Sequence, residues 1–202
     1  MKSLSTYVLV ILINAILALA DWQFRSRPDL SPPRLNITIP ATKEVAPGYI
    51  FVTPYPSFAD SGTLKPEQPG AYIFRNDGDL IWSSLGYLGG WIGNLQVARY
   101  KGQAVLQAFQ GTINPFHGHG YGTAVLLDQG YRHIKTVQSQ DSKLISIHEF
   151  RIIDERTALF EIYQPVVYDL TAYGGEKDGW IVDGIFQGAH RFQRGQTREQ
   201  VN

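Results

Sequence analysis

Ala71-Tyr-Ile-Phe-Arg-Asn-Asp-Gly-Asp-Leu-Ile-Trp-Ser83 places two short apolar runs on either side of Asn76-Asp77-Gly78. Glycine accepts the positive φ that a tight hairpin turn requires, so Asn-Asp-Gly between apolar runs is a strong local signal for two antiparallel strands. The stretch therefore predicts a β-hairpin over residues 71–83.

Similar units recur along the chain, roughly every 25 residues, as expected for an all-β protein with many turns. Turns are predicted at Lys101-Gly102, at Asp128-Gln129-Gly130 and at Asp154-Glu155-Arg156, each between apolar runs. Gly48–Pro54 and Ile181–Gln187 predict further strands. No segment keeps an apolar period of 3.6 residues, so little helix is expected. The predicted fold class is all-β, built from antiparallel hairpin repeats.

Hairpins with regular aromatic and glycine positions favour a barrel, a sandwich or a β-propeller. A propeller blade of a common type takes ~40–45 residues, which leaves room for about four blades between Asp21 and Gln187. Closed rings have ~4–8 blades, so four is the lower limit. The sequence leaves open whether such a propeller is complete.

Composition narrows the function classes. The chain has 202 residues, enough for one domain with a hydrophobic core. Lys plus Arg and Asp plus Glu both number 18, so there is no basic surplus for binding nucleic acid. Cysteine is absent, so stability must come from hydrophobic packing rather than disulfides, and zinc sites with cysteine ligands are excluded.

The N-terminus predicts a secretory signal peptide over residues 1–20. Lys2 precedes the run Tyr7–Ala20, which is apolar apart from Asn14 and ends in Ala18-Leu19-Ala20 before Asp21. This run is shorter than the ~20 residues of a transmembrane helix. We therefore expect a secreted, extracellular protein with no membrane association after cleavage, and keep an uncleaved anchor as the alternative.

The remaining boundaries follow from composition. Residues 21–47 are expected to form an extended proline-rich arm, because three prolines lie between Arg27 and Pro33. Asn36-Ile37-Thr38 in this arm is an acceptor for N-glycosylation at Asn36. Residues 48–187 carry the hairpins. Residues 188–202 are a polar, basic tail in which the strand pattern is lost.

The histidines supply the candidate chemistry, because imidazole is tuned most easily for proton transfer or nucleophilic attack near neutral pH. His117 and His119 lie in a glycine-rich motif, and His148 precedes Glu149. His117 and His119 either line a pocket or pack within a glycine-rich loop. Binding of one metal ion by both histidines is the weaker form of the pocket hypothesis, because the sequence shows no third ligand.

The glycines at 118, 120 and 122 indicate special backbone conformations or close approaches. His148 is expected at the start of a strand, on the face opposite Glu149, either as a site residue or bonded to backbone. His133 is expected to face solvent. Arg99 and Arg151 are candidate contacts for an anion, and Tyr163 is a candidate wall of an aromatic pocket; these side chains are equally typical of solvated strands and cores.

A series of motifs in order resembles the arylsulfotransferase-like proteins of filamentous fungi over roughly residues 22–187. They are Arg27–Leu35, Pro47–Val52, Gln68–Phe74 with Asp77–Trp82, Gly118–Gly122, His148–Phe150, Ile162–Pro165 and Gly179–Asp183 with Phe186-Gln187.

This resemblance implies a secreted β-propeller related to bacterial aryl sulfotransferases, which move a sulfuryl group between phenols through a histidine intermediate. It implies small phenolic or aryl sulfate substrates and neither a cofactor nor a metal. No nucleotide sulfate donor is implied, and the chain has no phosphate-binding loop of the G-x-x-x-x-G-K-[ST] type.

His119 and His148 are the predicted catalytic residues, with the nucleophile left open between them. His117, Arg151 and Tyr163 are predicted to bind substrate, and the resemblance makes Arg99 and Arg151 candidates for sulfate contacts. Propellers of this family continue through further blades, so the tail after Gln187 is expected to be a truncated end. The competing hypotheses are a binding or scaffold propeller without catalysis and an inactive truncated product.

Overall fold

A computed structural model describes residues 29–54, 68–114, 118–139, 142–155 and 157–190. The chain divides into two units, Met1–Ser31 and Pro32–Asn202, and all of the described strands belong to the second. The strands are β1 (Tyr49–Val52), β2 (Tyr72–Arg75), β3 (Leu80–Ser83), β4 (Trp91–Tyr100), β5 (Gln103–Asn114), β6 (His119–Leu127), β7 (His133–Val137), β8 (Phe150–Ile153), β9 (Thr157–Tyr168) and β10 (Gly179–His190).

The all-β prediction is confirmed for this part of the chain, in which the one helical turn is a short 3-10 turn at Thr171–Tyr173. The hairpin over residues 71–83 forms as expected. Gly78 takes a φ of 92° in its turn and donates its N–H to the carbonyl of Arg75 at 3.0 Å. None of the described helical residues forms a segment that is long and apolar enough to cross a membrane.

The strands form three antiparallel sheets, each a meander in chain order. Sheet I is β1-β2-β3, sheet II is β4-β5-β6-β7 and sheet III is β8-β9-β10. Consecutive pairing of this kind follows from short turns such as Lys101-Gly102 and Asp154-Glu155, which return the chain beside the strand it has just left.

Sheet II is apolar on both faces. Along β6, Ala124 and Leu126 enter a core cluster with Phe150 and Phe160 of sheet III. Their neighbours Val125 and Leu127 enter a second cluster with Ile73 and Trp82 of sheet I. Because successive side chains on a strand point to opposite faces, one strand contributes to both cores.

Three sheets that follow one another in the chain and pack face to face are compatible with a propeller. Within the described residues, however, no strand pairing closes the sheets into a barrel or a ring. The propeller therefore stays a proposal, while the all-β, antiparallel architecture is established.

The strand pattern was expected to end at Gln187, but β10 continues to His190. Gly188 pairs with Leu159 and Ala189 with Ala158, so small residues that carry no apolar alternation extend the sheet by backbone hydrogen bonds. The remainder of the predicted tail, 191–202, lies outside the described residues, as do the predicted signal peptide and the first part of the arm. Residues 29–48 contain neither helix nor strand.

Candidate functional site

The short segment 145–149 joins sheets II and III. Ile145 and Gly122 of β6 exchange backbone hydrogen bonds of 2.9 and 3.0 Å. Ser146 then donates its N–H to the carbonyl of Glu161 on β9 at 2.8 Å, and Glu161 donates to the carbonyl of Glu149 at 3.1 Å. The segment therefore lies between β6 and β9 and brings the side chains of both strands to one place.

Three predicted site residues meet at this segment, which itself contains His148. The ring of Tyr163 lies 5.1 Å from the ring of His119 and 5.7 Å from the ring of His148, measured between centroids. Both contacts are edge-on, with interplanar angles of 61° and 70°. We refer to these residues as the His119–Tyr163–His148 cluster.

His119 is the buried member of the cluster, with 6% of its surface exposed. Its Nε2 lies 2.9 Å from the hydroxyl of Tyr121, two residues along β6, and the two rings make an edge-on contact. Residues i and i+2 share a face of a strand, which places these two side chains together. The Tyr121 hydroxyl can donate to or accept from the imidazole, depending on its tautomer.

The glycines around His119 have the roles expected of them. Gly118 has a φ of 74°, a conformation that L side chains rarely adopt, at the entry to β6. A Cβ on Gly122 would overlap the carbonyl oxygen of Gln110, and one on Gly120 would overlap that of Thr112. The motif therefore lets β5 and β6 approach closely where His119 enters the sheet.

His148 is the exposed member of the cluster, and its predicted position is wrong. It lies in a bend two residues before β8 rather than at the start of a strand, because segment 145–149 turns from β6 towards β9. Its Nδ1 lies 3.3 Å from the Ser146 hydroxyl. Within the described residues Nε2 has no hydrogen-bond partner, so this nitrogen is available to a ligand.

Tyr163 lies between the two histidines on β9. A hydrogen bond to the side chain of Glu161 raises the pKa of the Tyr163 hydroxyl, and burial and the negative charge of Glu161 act in the same direction. These interactions favour the protonated form of Tyr163, which a tyrosine with its ordinary pKa of 10.0 already adopts at neutral pH. Its partner on β10 is Gly184, which has no side chain to cover the ring.

The other predicted site residues are not brought into the cluster. His117 lies outside the described residues. Arg151 is exposed on β8, with Nε 3.7 Å from Glu149 Oε2. Arg99 lies at the β4–β5 turn, where Nε is 2.9 Å from Glu155 Oε1. His133 is exposed on β7, as expected, and its Nε2 lies 2.9 Å from the Thr136 hydroxyl.

Sequence reasoning missed three side chains at this site: Tyr121, Ser146 and Glu161. Tyr121 had a usable signal, since it follows His119 by two residues on a predicted strand. Ser146 and Glu161 had none, because their positions depend on how segment 145–149 lies between two sheets. No group of three or more acidic, histidine or cysteine residues is arranged for a metal ion in the described ranges.

The cluster combines groups suited to nucleophilic and acid–base chemistry. An exposed imidazole with one nitrogen oriented by a hydroxyl can act as a nucleophile or a base. A buried imidazole bonded to a tyrosine can hold or move a proton or stabilise a developing negative charge. The edge-on tyrosine between them offers an aromatic surface to a planar ligand.

Residues 96–190 match the model of a protein family described as Arylsulfotransferase (ASST). The match extends from within β4 to the end of β10 and contains the whole cluster. Searches of curated proteins and of solved structures gave no match. The family match supports the resemblance to arylsulfotransferases and, in general terms, a transferase that acts on aryl substrates.

Proposed function

We propose that this protein transfers a sulfuryl group between phenolic compounds through a histidine intermediate. The observation that carries the proposal is the His119–Tyr163–His148 cluster, which lies inside the range that matches the arylsulfotransferase family. Two imidazoles on either side of an aromatic ring supply a nucleophile, a charge-stabilising group and a surface for an aryl group.

His148 is proposed as the nucleophile. Its exposure gives a substrate access, and the contact between Nδ1 and Ser146 orients the ring with Nε2 available. Nε2 would attack the sulfur of an aryl sulfate, the bond between sulfur and the aryl oxygen would break, and the phenolate would leave. The oxygen of a second phenol would then attack the same sulfur, the bond between sulfur and Nε2 would break, and the proton that this phenol loses would balance the one taken up by the phenolate released first. The transfer is thereby split into two steps.

His119 is proposed to stabilise charge on the sulfuryl oxygens or on the leaving oxygen. It is buried and bonded to Tyr121, so its orientation is fixed before the reaction, which is the condition for efficient electrostatic stabilisation. Tyr163 is proposed to contact the aryl ring with its own ring, which lies edge-on to both histidines.

The test is transfer of sulfate from 4-nitrophenyl sulfate to phenol, with the wild type compared to His119→Asn, His148→Asn and His133→Asn. We expect His148→Asn to abolish turnover and His119→Asn to reduce kcat by about 100-fold or more, the scale of losing a charge-stabilising donor. His133→Asn is the matched control and should retain wild-type activity, because His133 lies on β7 outside the cluster.

A covalent intermediate distinguishes catalysis from binding. Mass spectrometry of the protein quenched in alkaline denaturant after donor addition should find a sulfuryl group on residue 148, because a bond between sulfur and an imidazole nitrogen is hydrolysed in acid. Donor binding without turnover would favour the competing hypothesis of a non-catalytic binding protein. Turnover that survives both cluster substitutions would overturn the mechanism.

We also propose that sheets I, II and III are consecutive blades of a propeller. Their chain-order meanders and face-to-face packing support this.

Secretion through residues 1–20 and glycosylation at Asn36 are proposed as well, the latter supported by the exposure of Asn36, Ile37 and Thr38. Expression in a secreting eukaryotic host should give a protein that begins at Asp21 and loses mass on treatment with an N-glycosidase.

A further inference from the structure

A pocket of about 290 Å³ lies between sheets I and II. Phe51 and Ile73 contribute to its wall from sheet I, and Val97 and Leu106 contribute from sheet II. Ile73 and Leu106 are also members of the second core cluster, so the pocket continues into the packed interior between the two sheets. Both walls therefore come from sheets that the structure describes.

This pocket and the His119–Tyr163–His148 cluster lie at opposite ends of sheet II. Strand β6 begins at His119 and ends at Leu127, and the next residue, Asp128, lines the pocket. The length of β6 places about 27 Å between the two ends, at ~3.4 Å per residue. A ligand of one or two rings cannot contact both places, so the pocket is a separate site.

The β6–β7 turn presents Tyr131 to the pocket in a constrained conformation. Tyr131 has a φ of 61°, in the left-handed region that residues other than glycine rarely adopt. Its N–H donates to the carbonyl of Asp128 at 2.9 Å, and the Asp128 carboxylate accepts from the N–H groups of Gly130 and Arg132. The Tyr131 ring stacks on buried Trp82 of sheet I, with centroids 5.2 Å apart. This part of the wall is therefore formed before a ligand binds.

The polar side chains of the lining favour a neutral ligand. Tyr49, Gln129 and Tyr131 carry hydroxyl and amide groups that can both donate and accept hydrogen bonds. The oxygens of Asp128 are already bonded within the β6–β7 turn. An anion that entered the pocket would lose its water and meet no positive side chain among the described lining residues, which is costly.

We propose that this pocket binds a small neutral aromatic molecule that carries a hydroxyl group. An apolar cavity of ~150 Å³ holds a benzene molecule, so 290 Å³ accommodates about two rings. The rings of Tyr49, Phe51 and Tyr131 offer aromatic surfaces to such a molecule. The neutral polar groups beside them offer a partner to its hydroxyl, as in small-molecule sites with few polar groups in an apolar lining.

The first test is binding of 2-naphthol to the full chain, measured by isothermal titration calorimetry. Ala104→Trp adds an indole ring to the lining at an exposed position of β5 and should weaken binding about tenfold or more, because the ring occupies the pocket. Gln103→Trp is the matched control at the preceding exposed position, which does not line the pocket, and should bind like the wild type. The anionic counterpart 2-naphthyl sulfate should show no difference between the two variants.

The variant His119→Asn/His148→Asn separates this site from the cluster. It should still bind 2-naphthol, and Ala104→Trp should still weaken that binding when added to it. Both measurements record binding rather than turnover, so failure of the proposed sulfuryl transfer would leave them unchanged. Absence of binding by the wild type, equal affinities of the two tryptophan variants, or loss of all binding in the histidine variant would overturn the proposal.

The second test locates the ligand in the wild type and needs no variant. Ile73 and Ile81 line the pocket, whereas Ile152 and Ile185 pack against the core between sheets II and III. In methyl NMR spectra, 2-naphthol should shift the signals of Ile73 and Ile81 and leave those of Ile152 and Ile185 in place. Unchanged signals of Ile73 and Ile81 at saturating 2-naphthol would contradict the proposed site.

Discussion

At the scale of single residues, the site depends on how His119 is held. The imidazole is buried where β6 begins, and its Nε2 is bonded to Tyr121. The glycines on either side let β5 approach, so that the ring packs within the sheet. Two features therefore hold His119 in place. The hydrogen bond to Tyr121 orients its ring, and the close approach of β5 and β6 leaves no room for side chains at positions 120 and 122.

Tyr121→Phe should lower turnover by about tenfold, since a net hydrogen bond to a buried group contributes ~0.5–1.5 kcal/mol. Tyr121 is a positioning residue, so we expect kcat to fall with KM little changed. Steady-state kinetics measure this split between kcat and KM. Tyr173→Phe, in the exposed 3-10 turn, should behave like the wild type. A kcat of Tyr121→Phe equal to that of the wild type would contradict the assigned role.

Gly122→Ala should destabilise the protein by about 2–4 kcal/mol, because the added methyl group would overlap backbone atoms of β5 that cannot move independently. Urea unfolding followed by tryptophan fluorescence measures the loss. Gly188→Ala on β10 is the control, since a Cβ there meets nothing within 4 Å. Equal stability of the two variants would show that β5 and β6 can separate at this position.

At the scale of elements, turns connect sheets as well as strands. Glu155, at the β8–β9 turn, accepts hydrogen bonds from Arg99 Nε and from the N–H of Gly102, both at the β4–β5 turn. Its own carbonyl accepts from the N–H of Lys101 at 3.3 Å. One acidic side chain thus joins a hairpin of sheet II to a hairpin of sheet III.

Glu155→Ala should lower the free energy of unfolding by about 1 kcal/mol, the upper range for a partly exposed ion pair. The backbone bond from Lys101 remains, which limits the loss. Glu176→Ala, in the β9–β10 loop, controls for removal of an acidic side chain. Chemical denaturation at low and high salt measures both variants, and the difference between them should shrink at high salt.

Asp128 should make the β6–β7 turn sensitive to acid. Hydrogen bonds from the N–H groups of Arg132 and Gly130 and the Arg132 guanidinium lower the pKa of this carboxyl below its ordinary 3.8. A lowered folded-state pKa contributes stability above the unfolded value, and this contribution is lost as pH falls through the folded value.

Asp128→Asn should therefore be less stable than the wild type at neutral pH. The difference between their free energies of unfolding should become smaller below about pH 4. Urea midpoints measured across this range test the expectation. Asp178→Asn, in an exposed turn, is the control. A stability difference between variant and wild type that does not change with pH would show that the charge of Asp128 does not stabilise the fold.

The elements also show what local sequence can predict. Asn76-Asp77-Gly78 and Lys101-Gly102 predicted their hairpins, because turn geometry depends on residues that are adjacent in the chain. The strand ends were less predictable. His148 lies in a bend because segment 145–149 must reach from β6 to β9, and β10 extends through Gly188 by pairing with Leu159. Both depend on distant partners.

At the scale of the whole molecule, the sequence predicted an all-β protein and three members of the cluster, but not their meeting. His119, Tyr163 and His148 were separate candidates on different elements, and only the packing of sheet III on sheet II unites them. For the same reason Arg151 and Arg99 were expected to bind sulfate, although the structure places each with a glutamate. The residue types indicated which side chains could take part in the chemistry. The packing of the sheets determined which of these candidates lie together.

The two apolar faces of sheet II bear on biosynthesis. Each sheet is a meander of neighbouring segments, so each can form as soon as its own strands have been synthesised. Sheet II, however, can bury only one face against sheet I until sheet III follows it, and the face of Ala124 and Leu126 stays in water meanwhile. During that interval the nascent chain presents a ready surface for chaperones, and a ribosome pause before β8 should lengthen it.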